Sequence, residues 1–156
     1  MTGPIRVVFD CNIFLQALAA PEGPAGHCVQ LAIDAKVQLF ASPAVLAELR
    51  EVATRPKIIA KLRLVAERVD EFIEAIELAA ILLKSVPEVF AYQRDPDDAH
   101  YINLALAADA RLIVSRDKDL LDLMDSTKPE AAEFQKRYPA FRILDPVGFL
   151  REINTQ

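Results

Sequence analysis

Short apolar runs alternate with longer stretches of helical periodicity along this chain. Ile5–Phe9 and Leu112–Val114 are rich in β-branched residues and bounded by polar positions, which is typical of buried parallel strands. Further strands are predicted at Gln38–Ala41, Lys84–Val86 and Arg142–Leu144. Helices are predicted at Pro24–Asp34, Pro43–Thr54, Leu64–Leu83, Asp97–Ala110 and Val147–Ile153, with a short one inside the polar stretch Ser126–Phe141. The alternation of strands and helices predicts an α/β protein.

Length and composition indicate the size and the class of the protein. A chain of 156 residues, 53% of them hydrophobic, is expected to form one globular domain over residues 1–156 without needing disulfides. Cys11 and Cys28 lie in apolar surroundings and are expected to pack as reduced thiols. No secretory signal or bilayer-length apolar run is visible, so we expect a cytoplasmic protein without membrane contact.

The charge balance is acidic. Lys and Arg total 18 against 23 for Asp and Glu, a formal net charge of -5. Averaged over the molecule, this balance argues against a polyanionic partner. Whether the net charge excludes a nucleic-acid partner depends on where the acids lie.

Two acids follow predicted strands. Asp10 comes directly after Ile5–Phe9, and Asp117 lies just beyond Leu112–Val114. The carboxyl ends of parallel strands are where open α/β sheets bind ligands. Asn12 and Ser115 lie close by in sequence and are able to orient an acid by hydrogen bonding.

A third candidate acid lies on a predicted helix. Val45, Leu49 and Val52 form its apolar stripe, and Glu48 borders that stripe while Glu51 is turned toward solvent. The alternative for Glu48 is a surface glutamate whose stem covers apolar side chains and whose head reaches water.

The densest acidic segment opens the helix predicted at Asp97–Ala110. Asp95, Asp97 and Asp98 crowd its start, and Asp117 and Asp119 open the next segment. A structural alternative is a capping arrangement, with Asp95 as N-cap, Pro96 at the first position and Asp98 at the third. Asp98 shares its face with Ile102 and Ala105, but Asp97 is only slightly less inward, so periodicity does not choose between them.

A cluster of carboxylates without sulfur or imidazole favours a hard divalent cation. Converging carboxylates raise one another's pKa unless a cation neutralises them, and Mg²⁺ or Mn²⁺ prefers oxygen ligands. His27 and His100 have no zinc-site spacing, and the phosphate-binding loops GxxxxGK[ST] and GxGxxG are absent. The acids are therefore candidate ligands for one or two such ions.

Four segments together resemble the PIN domain family, and more narrowly its VapC-like toxins. They are VVFDCNIF, SPAVLAELREVATRPK, DPDDAHYINLALAADARLIVSRDKDLL and ILDPVGFL, and they span nearly the whole chain. The resemblance implies a three-layer α/β/α sandwich around a central, mostly parallel sheet. It also implies a ribonuclease in which Mg²⁺ or Mn²⁺ activates a water, leaving a 5′-phosphate and a 3′-hydroxyl.

The resemblance also suggests roles for individual residues. The catalytic and metal-binding acids would be Asp10, Glu48, Asp98 and Asp117. Supporting positions would be Asn12, Ser115, Asp95 and Asp119, and candidate phosphate contacts are Arg94, Arg116 and Lys118, whose alternative is solvated loop charges. Two positions depart from the family: Cys11 stands where many relatives have Thr, and the stretch Ser126–Phe141 is longer than expected.

The implied partners are an RNA substrate, a cognate antitoxin and a second copy of the chain. Phe14, Leu15 and Leu18 offer apolar surface to an antitoxin unless they fill the core. Alternatives are a module that binds RNA or a partner without cutting, and a haloacid-dehalogenase-like phosphatase, disfavoured because Asn12 replaces the second acid of that signature. Two divalent ions would balance four carboxylates, so nucleic-acid chemistry here is expected to depend on metal.

Overall fold

The computed structural model describes residues 3–154 and contains a five-stranded sheet in the order β3-β2-β1-β4-β5. The strands are β1 Ile5–Phe9, β2 Val37–Ala41, β3 Ile81–Leu82, β4 Leu112–Val114 and β5 Arg142–Leu144. All four pairings are parallel; β1 aligns Val7 with Leu39 of β2 and Phe9 with Val114 of β4. The expected parallel sheet is confirmed.

Helices cover both faces of this sheet. They are α1 Cys11–Ala19, α2 Pro24–Ile33, α3 Pro43–Ala53, α4 Pro56–Leu62, α5 Ala66–Ala79, α6 Ala99–Ala107, α7 Lys118–Leu121, α8 Pro129–Arg137 and α9 Pro146–Asn154, with a 3₁₀ turn at Asp122–Met124. The chain moves from β1 outward to β3 and then crosses back to β4. Because such crossovers are right-handed, the first helices lie on one face and α6 on the other. The α/β/α architecture is confirmed.

The direction of strand addition reverses at β1, and this reversal positions the candidate site. The connection from β1 leads to β2 on one side, while β4 lies on the other side. In open α/β sheets the crevice beyond the carboxyl ends at such a switch point binds ligands. Beneath it, Phe9 packs against Phe14 and Phe149 in the core.

One strand and several helices differ from the sequence expectation. The strand predicted at Lys84–Val86 is wrong: β3 is Ile81–Leu82, inside the predicted helix Leu64–Leu83. Helix α5 ends at Ala79, and after Ala80 the two strand residues pair with Phe40 and Ala41 of β2. Helices α1, α4 and α7 were not predicted. Within residues 3–154, every helix is too short or too polar to cross a bilayer.

Replacing Gly26 with alanine is expected to destabilise the fold. A Cβ at Gly26 would lie 2.1 Å from the carbonyl oxygen of Pro21, a backbone atom that cannot move without shifting the α1–α2 turn. We expect a loss of about 3 kcal/mol in the free energy of unfolding, measured by urea denaturation. As a control, Gly23→Ala places its Cβ 3.3 Å from Ala20 O and should cost less than about 1 kcal/mol. Equal stability of the two variants would contradict this packing argument.

Candidate functional site

Asp10 ends the central strand and caps the helix that follows. Its carboxylate accepts hydrogen bonds from the Ile13 backbone N–H at 3.1 Å and from the Ser115 hydroxyl. The residue is only 3% exposed. Burial raises the pKa of Asp10 from 3.8 to about 6, and the nearby Asp117 carboxylate contributes to the rise. This acid is therefore held in a fixed orientation in a poorly hydrated position.

Ser115 joins the two strand ends. Its fully buried hydroxyl donates to Asp10 and accepts the Asp117 backbone N–H at 2.9 Å. Asn12, by contrast, is exposed, and its side chain forms no hydrogen bond to the rest of the described chain. Its backbone N–H, rather than its amide side chain, favours the ionised form of Asp10. Of the two side chains expected to orient an acid, Ser115 therefore bonds to Asp10, whereas Asn12 does not.

Asp98 lies in a turn that precedes α6. The backbone N–H of Asp98 bonds to the Asp95 carbonyl at 3.1 Å, and helix α6 begins only at Ala99. The capping alternative is met in part: the Asp98 N–H also donates to Asp95 Oδ1 at 3.4 Å, but the helix itself starts after these residues, with Asp98 at its N-cap. Asp98 is buried and Asp97 is exposed, which distinguishes the two acids that periodicity left equivalent.

Four aspartates converge beside this turn. One carboxylate oxygen from each lies within 4.8 Å of the others; they are Asp95, Asp98, Asp117 and Asp119. Burial raises the pKa of Asp98 to about 8, and Asp117 and Asp95 add repulsion. Within the described chain, the buried Asp98 Oδ2 has no hydrogen-bond partner. A buried, unpaired oxygen among carboxylates fits a hard divalent cation, which would supply the missing positive partner.

Glu48 approaches the site from α3. The residue as a whole is exposed, but its Oε2 lies 3.5 Å from the Tyr101 hydroxyl. Partial burial raises the pKa of the Glu48 carboxyl, and the neighbouring Asp97 adds to the rise. Glu51 instead forms an ion pair with Arg55 at 2.7 Å in solvent, which lowers the pKa of Glu51. The two glutamates of α3 therefore differ as their positions on the helix predict.

Tyr101 is the neighbour of this site that sequence reasoning missed. It is 5% exposed, and its hydroxyl accepts the backbone N–H of Cys11 at 3.1 Å. Burial raises the pKa of Tyr101, so the hydroxyl keeps its proton. Its place three residues after Asp98 and next to the apolar Ile102 is consistent with burial near Asp98 but does not indicate the contact with Cys11 or the one with Glu48.

The candidate phosphate contacts differ in their partners. Arg94 binds the Asp119 carboxylate at 2.5 Å and Asp122 at 2.6 Å. Lys118 also pairs with Asp122, at 3.2 Å, and these cations lower the pKa of Asp122 to about 2. Arg116 is exposed and forms no ion pair with any residue in the described range 3–154. Asp119 thus already has a cationic partner, whereas Asp98 and Asp117 have none among residues 3–154.

Both cysteines are buried free thiols. Burial raises the pKa of each to about 12, so neither is an activated nucleophile. Cys11 takes part in the site through its backbone N–H, and its side chain packs in the core. The packing role expected for both residues agrees with this arrangement.

Comparisons with known proteins identify the family and the fold. The sequence pattern of the PIN domain family matches residues 6–119. A protein of Methanocaldococcus jannaschii named "Uncharacterized protein MJ1680" is 32% identical over 124 residues, covering 80% of this chain and 78% of that protein. A chain in the crystal structure of VapBC2 from Rickettsia felis, bound to a promoter DNA fragment, superposes with a TM-score of 0.54 at 15% identity. This superposition covers 90% of the present chain and 98% of the Rickettsia felis chain, and it shows that the two share a fold. Because the family match extends from β1 to the acids beyond β4, the chain belongs to the PIN domain family.

Proposed function

We propose that this PIN domain is a metal-dependent endoribonuclease that hydrolyses phosphodiester bonds in RNA. One observation carries the proposal. Asp98, buried and with an unpaired oxygen among the described residues, lies in a carboxylate cluster beyond the carboxyl end of β4, and Asp117 of that cluster also acts on Asp10 beyond the adjacent β1. Family membership supports a nuclease over the haloacid-dehalogenase-like phosphatase alternative.

Asp10, Glu48, Asp98 and Asp117 would hold one or two Mg²⁺ or Mn²⁺ ions. When bound, such ions acidify a water and neutralise charge on the phosphate in the transition state. Asp10 is pre-oriented by Ser115 and the Ile13 N–H, so little conformational entropy remains to be lost on ligation. Asp95 lies close enough to share the site, whereas Asp119 is already paired with Arg94.

The three basic side chains around the cluster would have different roles. Arg116 follows Ser115 directly and has a free, exposed guanidinium in the described chain, so it would contact a neighbouring phosphate. Arg94 would mainly hold Asp119 and Asp122 in place. Lys118 shares Asp122 but is 76% exposed, and exposed pairs are weak enough for it to reach RNA as well.

We further propose that the protein is the cytoplasmic toxin of a toxin–antitoxin pair. The shared fold with a chain of VapBC2 supports this role. Phe14 and Leu15 are buried in the core and are not available to an antitoxin. Leu18 is half-buried and lines a groove with Val29 of α2 and Phe72 of α5, which would accept an apolar side chain.

Purified protein is expected to cut a mixed RNA pool in Mn²⁺ and to leave it intact in EDTA. The fragments should carry 5′-phosphates, detected by their digestion with a 5′-phosphate-dependent exonuclease. Asp117→Asn should reduce cleavage on the order of 100-fold. The matched control is Glu51→Gln, which removes a surface acid from α3 and should keep full activity.

Two outcomes would count against the nuclease. RNA binding without cleavage in Mn²⁺ would support the alternative of a non-cutting module. Cleavage that persists in EDTA or in Asp117→Asn would show that the activity does not come from this site.

A further inference from the structure

One tyrosine hydroxyl links three elements around the candidate site. Tyr101 lies on α6, accepts the backbone N–H of the residue after Asp10, and faces the carboxylate of Glu48 on α3. A phenol has one proton to donate. Since its oxygen accepts the Cys11 N–H, its own proton is left for Glu48, the carboxylate within reach at 3.5 Å.

We propose that Tyr101 is a positioning residue for the metal site: its hydroxyl holds the Glu48 carboxylate toward Asp10. This inference rests on the proposed function, since the cation is what Glu48 is held for. Glu48 is exposed and has three side-chain torsions, so without a partner its carboxylate would sample solvent-facing rotamers. A hydrogen bond from a buried, immobile donor limits that freedom.

His100, the residue before Tyr101, helps to fix the position of α3 relative to α6. His100 Nε2 lies 2.8 Å from the Ser42 hydroxyl, and Ser42 caps α3 by accepting the Val45 N–H at 3.2 Å. Ser42 is only 2% exposed. Consecutive residues of α6 therefore hold the start of α3 and the carboxylate of Glu48. His100 locates the helix, which leaves Tyr101 to select the side-chain rotamer.

The test is Mn²⁺ binding by Tyr101→Phe, followed by electron paramagnetic resonance of the free ion. Losing the hydroxyl should raise the Mn²⁺ dissociation constant on the order of tenfold, as is usual for groups that orient a ligand. In a Glu48→Ala background the same change should have no further effect. Tyr138→Phe is the matched control, because that buried hydroxyl has no hydrogen-bond partner within the described residues.

A spectroscopic readout covers the case in which Tyr101→Phe does not fold. The chain has no Trp and three Tyr, so Tyr92→Phe combined with Tyr138→Phe leaves Tyr101 as the sole emitter. Mg²⁺ should change its fluorescence, and adding Glu48→Ala should abolish that change. An unchanged signal on Mg²⁺ binding would overturn the positioning role.

The outcomes separate the two proposals. If the wild-type protein binds no Mn²⁺, the metal-dependent function fails. If the wild type binds Mn²⁺ and Tyr101→Phe binds it equally well, only the positioning role fails. An equal loss of affinity with and without Glu48 would also overturn it, by showing that Tyr101 acts through the general packing of α6.

Discussion

Replacing Asp98 with asparagine is expected to abolish metal-dependent RNA cleavage and to make the metal-free protein more stable. The carboxylate is 7% exposed, has an oxygen without a hydrogen-bond partner among the described residues, and is repelled by Asp117 and Asp95. The Asn side-chain amide carries no charge, and its NH₂ group is able to donate hydrogen bonds to the carboxylates of Asp117 and Asp95. Cleavage should fall on the order of 100-fold or more, while the free energy of unfolding rises by roughly 1–3 kcal/mol.

Both effects are measurable on one preparation, by an RNA cleavage assay in Mn²⁺ and by urea unfolding in EDTA near pH 8. Asp97→Asn is the matched control, because it changes the adjacent acid, which is exposed. It should leave stability nearly unchanged and cleavage largely intact. Full cleavage by Asp98→Asn would show that Asp98 is not part of the catalytic site. A loss of stability in the same variant would show that the Asp98 carboxylate has a stabilising partner in the metal-free folded protein.

Strand ends were predictable because the chemistry there is local. The apolar run Ile5–Phe9 determines where β1 stops, so Asp10 has to emerge at the carboxyl edge of the sheet. The same reasoning applies to Ser115 and Asp117 after β4. Their meeting follows from the adjacency of β1 and β4 in the sheet, which the alternation of strands and helices does not specify.

Other features depend on contacts that no local pattern carries. Periodicity did not separate Asp97 from Asp98, because both lie in a turn where the helical repeat does not yet apply. Arg94 pairs with Asp119 and Asp122, which are 25 and 28 residues away in sequence. Strand β3 has two residues and forms only because the β2 edge is free to pair. Such features are set by tertiary packing, which overrides local propensity.

Tyr101 was not predictable as a site residue from the sequence, whereas Glu48 was. Glu48 borders an apolar stripe on its own helix, so its position is a property of α3 alone. The role of Tyr101 depends on two contacts, one with the backbone after Asp10 and one with α3. A buried tyrosine on an apolar helix face gives no sequence signal of either contact.

The metal-free protein is expected to lose stability as pH rises from about 4 to about 8. Burial raises the pKa of Asp10 to about 6 and that of Asp98 to about 8, both from 3.8. Between these values the folded state binds more protons than the unfolded state, so the free energy of unfolding decreases with pH. Asp122, whose pKa is lowered to about 2, loses its contribution only at lower pH and does not mask the trend.

A divalent cation should reverse this trend, because protons and metal compete for the same carboxylates. Thermal unfolding scans across this pH range should show the melting temperature falling in EDTA, and Mg²⁺ should stabilise the protein more at about pH 8 than at about pH 5. Asp98→Asn should reduce the slope of the EDTA curve over the whole range between about pH 4 and about pH 8, whereas Asp10→Asn should reduce it only below the pKa of Asp10. A melting temperature that rises with pH in EDTA would show that these acids are ionised and paired in the metal-free fold. In that case a cation would gain little by binding them, and the cluster would be structural.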